Sequence, residues 1–215
     1  MILGLTSFNC NSLTSTSALK FVVKMQSGKT SRTALASARH RAAHQVIEQG
    51  CIFSDPLAMR ILGEDPEIVV REAEKDQSRR RVRVFVAART RIAEDALAKA
   101  VEDGVRQLVI LGAGLDTYAY RSPFGDRLHI FEVDHPATQA WKRQRLAQAA
   151  IPLPNWLTFI AVDFEHETLV DCLLSAGFNP EQQTFFTWLE LSHISLNQQY
   201  GQHLATSQAC QTEHT

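Results

Sequence analysis

Small apolar residues recur at helical spacing from Thr33 to Gln49, with Arg39, Arg41 and His44 between them. That pattern predicts an amphipathic helix, stopped by Gly50. "IFSDPLA" follows, and Pro56 fits the first turn of a helix running to about Leu62. Pro66 to Ala100 is charged and periodic, which predicts more helix with one break. The region before residue 104 therefore reads as mostly α.

The texture then changes. "RQLVILGAG" (106–114) is a short apolar run ending in glycines, the pattern of a buried parallel strand. "LHIFEVD" (128–134), "WLTFIAVDF" (156–164) and "TFFTWLE" (184–190) predict three more strands. Helices are expected over Ala137–Ala150 and over Glu167–Ala176, the latter closed by Gly177. Strands alternating with helices predict a parallel sheet of the α/β class.

Composition narrows the picture little. Of 215 residues, 45% are hydrophobic and 21% charged, with a net charge of −1, so an ordinary soluble globular domain is expected. No basic excess points to nucleic acid, and no apolar run is long enough to span a bilayer. The four cysteines form no C-x-x-C pair, which fits reduced thiols and a cytoplasmic location. The N-terminal stretch has no basic segment before its apolar part, which argues against a signal peptide. Residues 1–30 read as a loose tail, and a second start at Met25, directly before the helical pattern, would leave the first two dozen residues untranslated.

In a parallel sheet, ligands bind at the C-terminal ends of the strands. The first strand ends in "GAGLDT", where Gly112 and Gly114 allow a tight turn and close approach, and Asp116 lies just beyond. The second ends at Asp134, spaced to accept ribose hydroxyls. The third ends in Asp163-Phe164, an acceptor for an amino group beside an apolar face for a base. These parts describe a nucleoside pocket. The third glycine of a dinucleotide fingerprint is replaced by Thr117, which disfavours NAD. S-adenosylmethionine, with no pyrophosphate to cradle, suits the set better.

At these residues the chain resembles the leucine carboxyl methyltransferase family, in its bacterial branch of S-adenosylmethionine-dependent methyltransferases. The resemblance rests on "SRTALASARHRAA", "IFSDPLAMRIL", "VFVAARTRIAED", "LVILGAGLDTYAYR", "FEVDHPATQAWKR", "FIAVDFE" and "AGFNPEQQTFFTWL", in order from about residue 31 to 189. It implies a class I, Rossmann-like fold with an N-terminal helical cap and the cofactor S-adenosyl-L-methionine. It implies that Gly112 and Gly114 shape the cofactor loop, Asp134 holds the ribose and Asp163-Phe164 flank the adenine. An arginine of "VAARTR" is expected at the cofactor carboxylate: Arg89 by position, with Arg91 as rival, and Arg41 in the first helix in a similar part. The implied reaction is methyl transfer to a carboxylate or hydroxyl oxygen of a small-molecule or protein acceptor. A carboxylate is already ionised at neutral pH, so no catalytic base is assigned.

Blander roles compete for several residues. His40 and His44 stand four apart, but no third ligand at matching spacing makes them a metal site. "RRRVR" (79–83) reads as a solvated helix face rather than a nucleic-acid contact. Trp141 and Trp156 read as packing residues, and Asp134 alone could serve as a helix cap.

The family fold has seven strands by resemblance, and this sequence supplies four, so the later strands are expected to be missing. The expected organisation is a tail (1–30), a helical cap (31–103), a partial cofactor domain (104–190) and a non-native tail (191–215). Where the family pattern continues close to "GVTPYLT", this chain has "ELSHISLN". Codons for Leu189 to Asn197 can be chosen so that the neighbouring frame reads Gly-Val-Val-Pro-Tyr-Leu-Thr-Gln. A frameshift near codon 189 is the expectation, and Glu190 is then no site residue. On that reading cofactor binding is weak or absent, and a non-catalytic remnant or interaction module is the rival to an enzyme.

Overall fold

The structure, a computed structural model, describes residues 32–75 and 77–189. The expectations for residues 1–30, for Glu190 and for 191–215 lie outside the described residues. Four helices come first: α1 (Arg32–Ile47), α2 (Ala58–Leu62), α3 (Pro66–Glu74) and α4 (Gln77–Glu102). Then follow β1 (Gln107–Leu111), β2 (His129–Asp134), α5 (Pro136–Gln148), β3 (Leu157–Ala161), α6 (Leu169–Ser175) and β4 (Thr184–Trp188).

Local chemistry sets the boundaries. Asp65 caps α3 by accepting the Glu67 N–H at 2.8 Å, with Pro66 in the first turn. α2 begins later than Pro56 because Asp55 accepts the Leu57 N–H at 3.1 Å and holds a turn there. Gly63, in the left-handed region, closes α2. Thr168 caps α6 through the Asp171 N–H at 3.2 Å. Among the described residues, no helix is long and apolar enough to cross a membrane.

The four strands form one sheet in the order β3-β2-β1-β4, every pair parallel. Ile110 of β1 stands opposite Glu132 of β2, and Asp134 stands opposite Ala161 of β3. All four expected strands are present, but helix does not follow every one. The β1–β2 connection holds only two 3-10 turns, Tyr118–Tyr120 and Gly125–Arg127. Gly112, Gly114, Pro123 and Gly125 break that segment, and its N–H groups bond three residues back, as in Tyr120 to Thr117 at 3.1 Å.

Strand alternation divides the core. Leu108, Ile110, Ile130 and Phe185 pack with Leu97, Ala100 and Val101 of α4. Val109, Phe131, Val133 and Ile160 pack on the opposite face with Leu173 of α6. A third cluster joins the helical region to the sheet domain, with Ala38 and Ala42 of α1 and Ile61 of α2 against Leu115 and Leu146.

Two sequence expectations need correcting. His44, weighed as a surface or capping residue rather than a metal ligand, is not at the surface: it is fully buried in α1. Nor is "RRRVR" wholly a solvated face. Arg83 is buried, forks onto the Glu48 carboxylate at 2.6–3.0 Å and donates to the Ala73 carbonyl. Glu48 also accepts from His44 Nδ1 at 3.2 Å, while His44 Nε2 accepts the Ile52 N–H, so the cap is tied by a buried polar network. Spacing along the chain cannot reveal this, because Arg83 meets its carboxylate 35 residues away.

His40 is pushed down to about 4 by burial and by the charges of Arg83, Arg79 and Arg89. Its unfolded-state value is near 6.5, so between pH 6.5 and 4 the unfolded chain takes up a proton that the folded chain refuses. Stability is therefore lost as pH falls through that window. Chemical denaturation should show this loss, and His40→Gln should flatten it by about 1–2 kcal/mol. Gly114 generates a second expectation. A Cβ there would lie 2.8 Å from Ala34 Cβ on α1, at a φ of +48°. Gly114→Ala should cost roughly 1–3 kcal/mol in the same measurement, with α1 displaced from the loop.

Candidate cofactor site

β1 delivers the chain into Gly112-Ala113-Gly114, with φ of +62° at Gly112 and +48° at Gly114. Both values favour glycine. The loop folds back onto β2. Ala113 N–H donates to the Val133 carbonyl at 3.2 Å, and Gly114 N–H donates to Asp134 Oδ2 at 2.6 Å. His135 N–H donates to the other oxygen, Oδ1, at 2.7 Å. Asp134 is thus held by two backbone donors at the C-terminal edge of β2. Burial raises its pKa, and the Gly114 and His135 N–H groups work against that rise. It is not the cap of α5, because His135 Nδ1 accepts the Ala137 N–H at 3.2 Å. Beside Gly112, a position with no side chain of its own, stands Trp188 at the end of β4; a Cβ on Gly112 would lie 3.8 Å from its Nε1.

Asp116 and Arg41 meet at the same loop, and Arg89 stands against Ser37 of α1. Asp116 Oδ1 accepts the Tyr118 N–H at 2.7 Å, and Oδ2 lies 3.8 Å from Arg41 Nη1. Burial pushes the Asp116 carboxyl up, but Arg41, Lys142 and the Tyr118 N–H outweigh it and hold it below its ordinary value. Arg41 also donates to the Leu115 carbonyl. Its Nε is buried and has no hydrogen-bond partner among the described residues; the nearest acid there is Asp55 at 3.7 Å. Arg89 reaches Ser37 Oγ at 3.4 Å, and its pKa is brought down to about 10 by burial and by the charge of Arg41. Arg91 instead faces outward and pairs with Asp95 at 2.8 Å, which separates it from the loop. Of the two arginines weighed from the sequence, Arg89 turns towards α1 and Arg91 towards solvent.

Thr117, at the third glycine position of a dinucleotide fingerprint, is buried and donates to Asp55 Oδ2 at 2.6 Å. The loop then enters a 3-10 turn, so no α-helix N-terminus stands where a pyrophosphate would need one.

Asp163 and Phe164 follow β3, one strand away from Asp134. The Val162 N–H donates to the Asp134 carbonyl at 3.0 Å and fixes the two strand ends side by side. Asp163 Oδ1 accepts the Glu165 N–H at 3.1 Å, while its own N–H donates to Glu167 Oε2 at 2.8 Å. Phe164 packs against the cluster that holds Val162 and Leu173. The structure places no direct contact between this pair and the Gly112–Asp116 loop.

Several polar residues escaped sequence reasoning. Asp55, fully buried, joins Thr117, Arg41 and Arg121, and Arg121 also forks onto Glu94. Arg121 is raised above its ordinary value, because Glu94 and Asp55 outweigh burial. Glu132 and Lys142 form an ion pair at 2.6 Å with side chains 1% and 2% exposed. The signal for Glu132 was present: it stands inside an apolar strand, two residues before Asp134 and so on the same face. Asp55 carried no such signal, since a D-P pair at a helix start accounts for itself.

Comparison with known proteins follows the same lines. The sequence model of the leucine carboxyl methyltransferase family matches residues 34–193. A protein of Bacillus subtilis (strain 168) described as "Putative S-adenosyl-L-methionine-dependent methyltransferase YktD" is 34% identical over 193 residues, 79% of this chain and 63% of its own. A protein of Parafrankia sp. (strain EAN1pec) with the same general description is 40% identical over 49% of this chain and 33% of its own. One of Mycobacterium sp. (strain KMS) is 36% identical over 50% of this chain and 44% of its own. The chain spans less than two thirds of the length of these curated relatives. With the family's match running through the helical region, the glycine loop and all four strands, the chain belongs to the leucine carboxyl methyltransferase family.

Proposed function

We propose that this chain binds S-adenosyl-L-methionine at the β1 loop and serves methyl transfer to a carboxylate or hydroxyl oxygen of an acceptor. Residues 31–103 act as the helical cap, and 104–190 carry the cofactor site. The carrying observation is the Gly114–Asp134 bond, which sets an acid of β2 beside a glycine loop with no pyrophosphate-binding helix. The relatives described as S-adenosyl-L-methionine-dependent lend support.

The residues fit that group. Gly112 leaves an open corner beside Trp188, and the buried Arg41 Nε has donor capacity unused among the described residues. Asp134 would accept the ribose hydroxyls with the lone pairs its backbone donors leave. Asp163 and Phe164 would flank the base. Arg89 and Arg41 would hold the carboxylate of the amino-acid part, and Asp116 its ammonium. When bound, the cofactor supplies a methyl group on a cationic sulfonium, the electrophile of an in-line displacement. A carboxylate acceptor needs no general base, so the protein's contribution is alignment and exclusion of water. The acceptor is a small molecule or a protein side chain or terminus.

Titration calorimetry on the chain tests this directly. One-site binding of S-adenosyl-L-methionine is expected, with no competition from NAD, whereas weak or absent binding would favour the truncated remnant. Arg89→Met should weaken binding about 10–100-fold, the worth of a charge-assisted hydrogen bond, whereas Arg91→Met should change it by less than about twofold. Equal effects from the two variants would remove Arg89 from the site. A non-catalytic module would bind the cofactor equally well but transfer no labelled methyl group to any acceptor.

A further inference from the structure

The cofactor reading leaves one deeply buried cluster unused. Glu132 lies on the same face of β2 as Asp134, two residues earlier, and is 1% exposed. Its Oε2 forms an ion pair with Lys142 Nζ of α5 at 2.6 Å and accepts from the Tyr120 hydroxyl at 3.2 Å. Lys142 Nζ also sits 5.3 Å from the centre of the Tyr120 ring. Tyr120 ends the 3-10 turn that follows the glycine loop, so one carboxylate joins three elements: β2, α5 and the loop's exit. A second tie runs parallel to it, since Gln139 Nε2 of α5 donates to the Glu132 carbonyl at 3.3 Å.

A buried ion pair is seldom kept for stability, because desolvation offsets most of its attraction. Here its acid stands two residues before Asp134 on the same face of β2. α5 starts at Pro136, immediately after Asp134 and His135, so anchoring α5 to Glu132 fixes where His135 N–H meets Asp134. Anchoring Tyr120 fixes the far end of the segment whose near end is Gly114. The ionisable neighbours complete the setting. Lys142 from α5 acts on Glu132, Asp116 and Asp134, Asp116 acts on Glu132 and Tyr120, and burial drives Glu132 and Tyr120 up against Lys142's opposing charge on Glu132.

We propose that Glu132, Lys142 and Tyr120 are positioning residues for the cofactor: their buried cluster holds the Gly114–Asp134 bond closed and so keeps Asp134 aimed as a ribose acceptor. This rests on the function proposed above, but the cluster's action on Gly114 is measurable without any ligand.

The test uses two variants of the full chain. Tyr120→Phe removes only the hydroxyl, and Glu132→Gln with Lys142→Met removes both charges at nearly constant volume, which avoids stranding one of them. For each, the melting temperature, the exchange rate of the Gly114 amide proton and the binding of S-adenosylhomocysteine are measured between pH 6 and 8. The expected result is a folded variant in which Gly114 exchanges at least about tenfold faster relative to core amides such as Val109. Binding should weaken by a similar factor. Folded variants with unchanged Gly114 exchange would overturn the proposal. If the charge-free variant does not fold, Tyr120→Phe decides alone: faster Gly114 exchange supports the proposal, and unchanged exchange defeats it. Faster exchange in a chain whose wild type binds no S-adenosylhomocysteine would keep the cluster's hold on the Gly114–Asp134 bond but overturn the cofactor reading and with it the positioning role.

Discussion

Gly114 donates its backbone N–H to the Asp134 carboxylate at 2.6 Å, and the candidate site is built outward from that bond. It joins the end of one strand to the loop after its neighbour. The acid is 5% exposed, so the desolvation of its charge must be repaid by good donors, and two backbone N–H groups provide them. The left-handed φ at Gly114 lets the N–H point there, and the missing Cβ lets α1 approach the same residue. One glycine therefore serves the turn, the hydrogen bond and the contact between helical cap and sheet.

The cap meets the sheet domain through charges as well as apolar contacts. Arg41 lies between Asp55 and Asp116, and Arg121 lies between Asp55 and Glu94, all at or below the surface. In a low-dielectric setting such a network is costly when broken and specific when whole. Its consequence is geometric: Arg41 of α1 is held against the Leu115 carbonyl of the loop, and Arg89 of α4 reaches Ser37 on that same helix.

Much of this was legible in the sequence because it is encoded locally. Apolar runs marked every strand, the first three ending in glycine or acid, and the spacing from "GAG" to Asp134 marked the acid that the loop binds. The choice between Arg89 and Arg91 was not local. Both lie on α4, and only the packing of α1 decides which one turns inward. The same holds for Arg83 with Glu48, for Asp55 with Thr117, and for Lys142 with Glu132. The first two join distant segments, and Lys142 has an ordinary surface reading until α5 is packed on the sheet, although Glu132 inside an apolar strand was a signal. The absent helix between β1 and β2 has a different cause: glycines and a proline made that segment a series of tight turns.

The central claim is that a nucleoside cofactor seats on the Gly112–Asp116 loop between Arg89 and Asp134. The most direct measurement is a map of backbone amide chemical shifts as S-adenosylhomocysteine is titrated into the chain. The account predicts saturable shifts concentrated at 112–116, at Asp134 and His135, at Asp163 and Phe164, and near Arg89. Saturable shifts confined to another surface, or none at millimolar ligand, would contradict it.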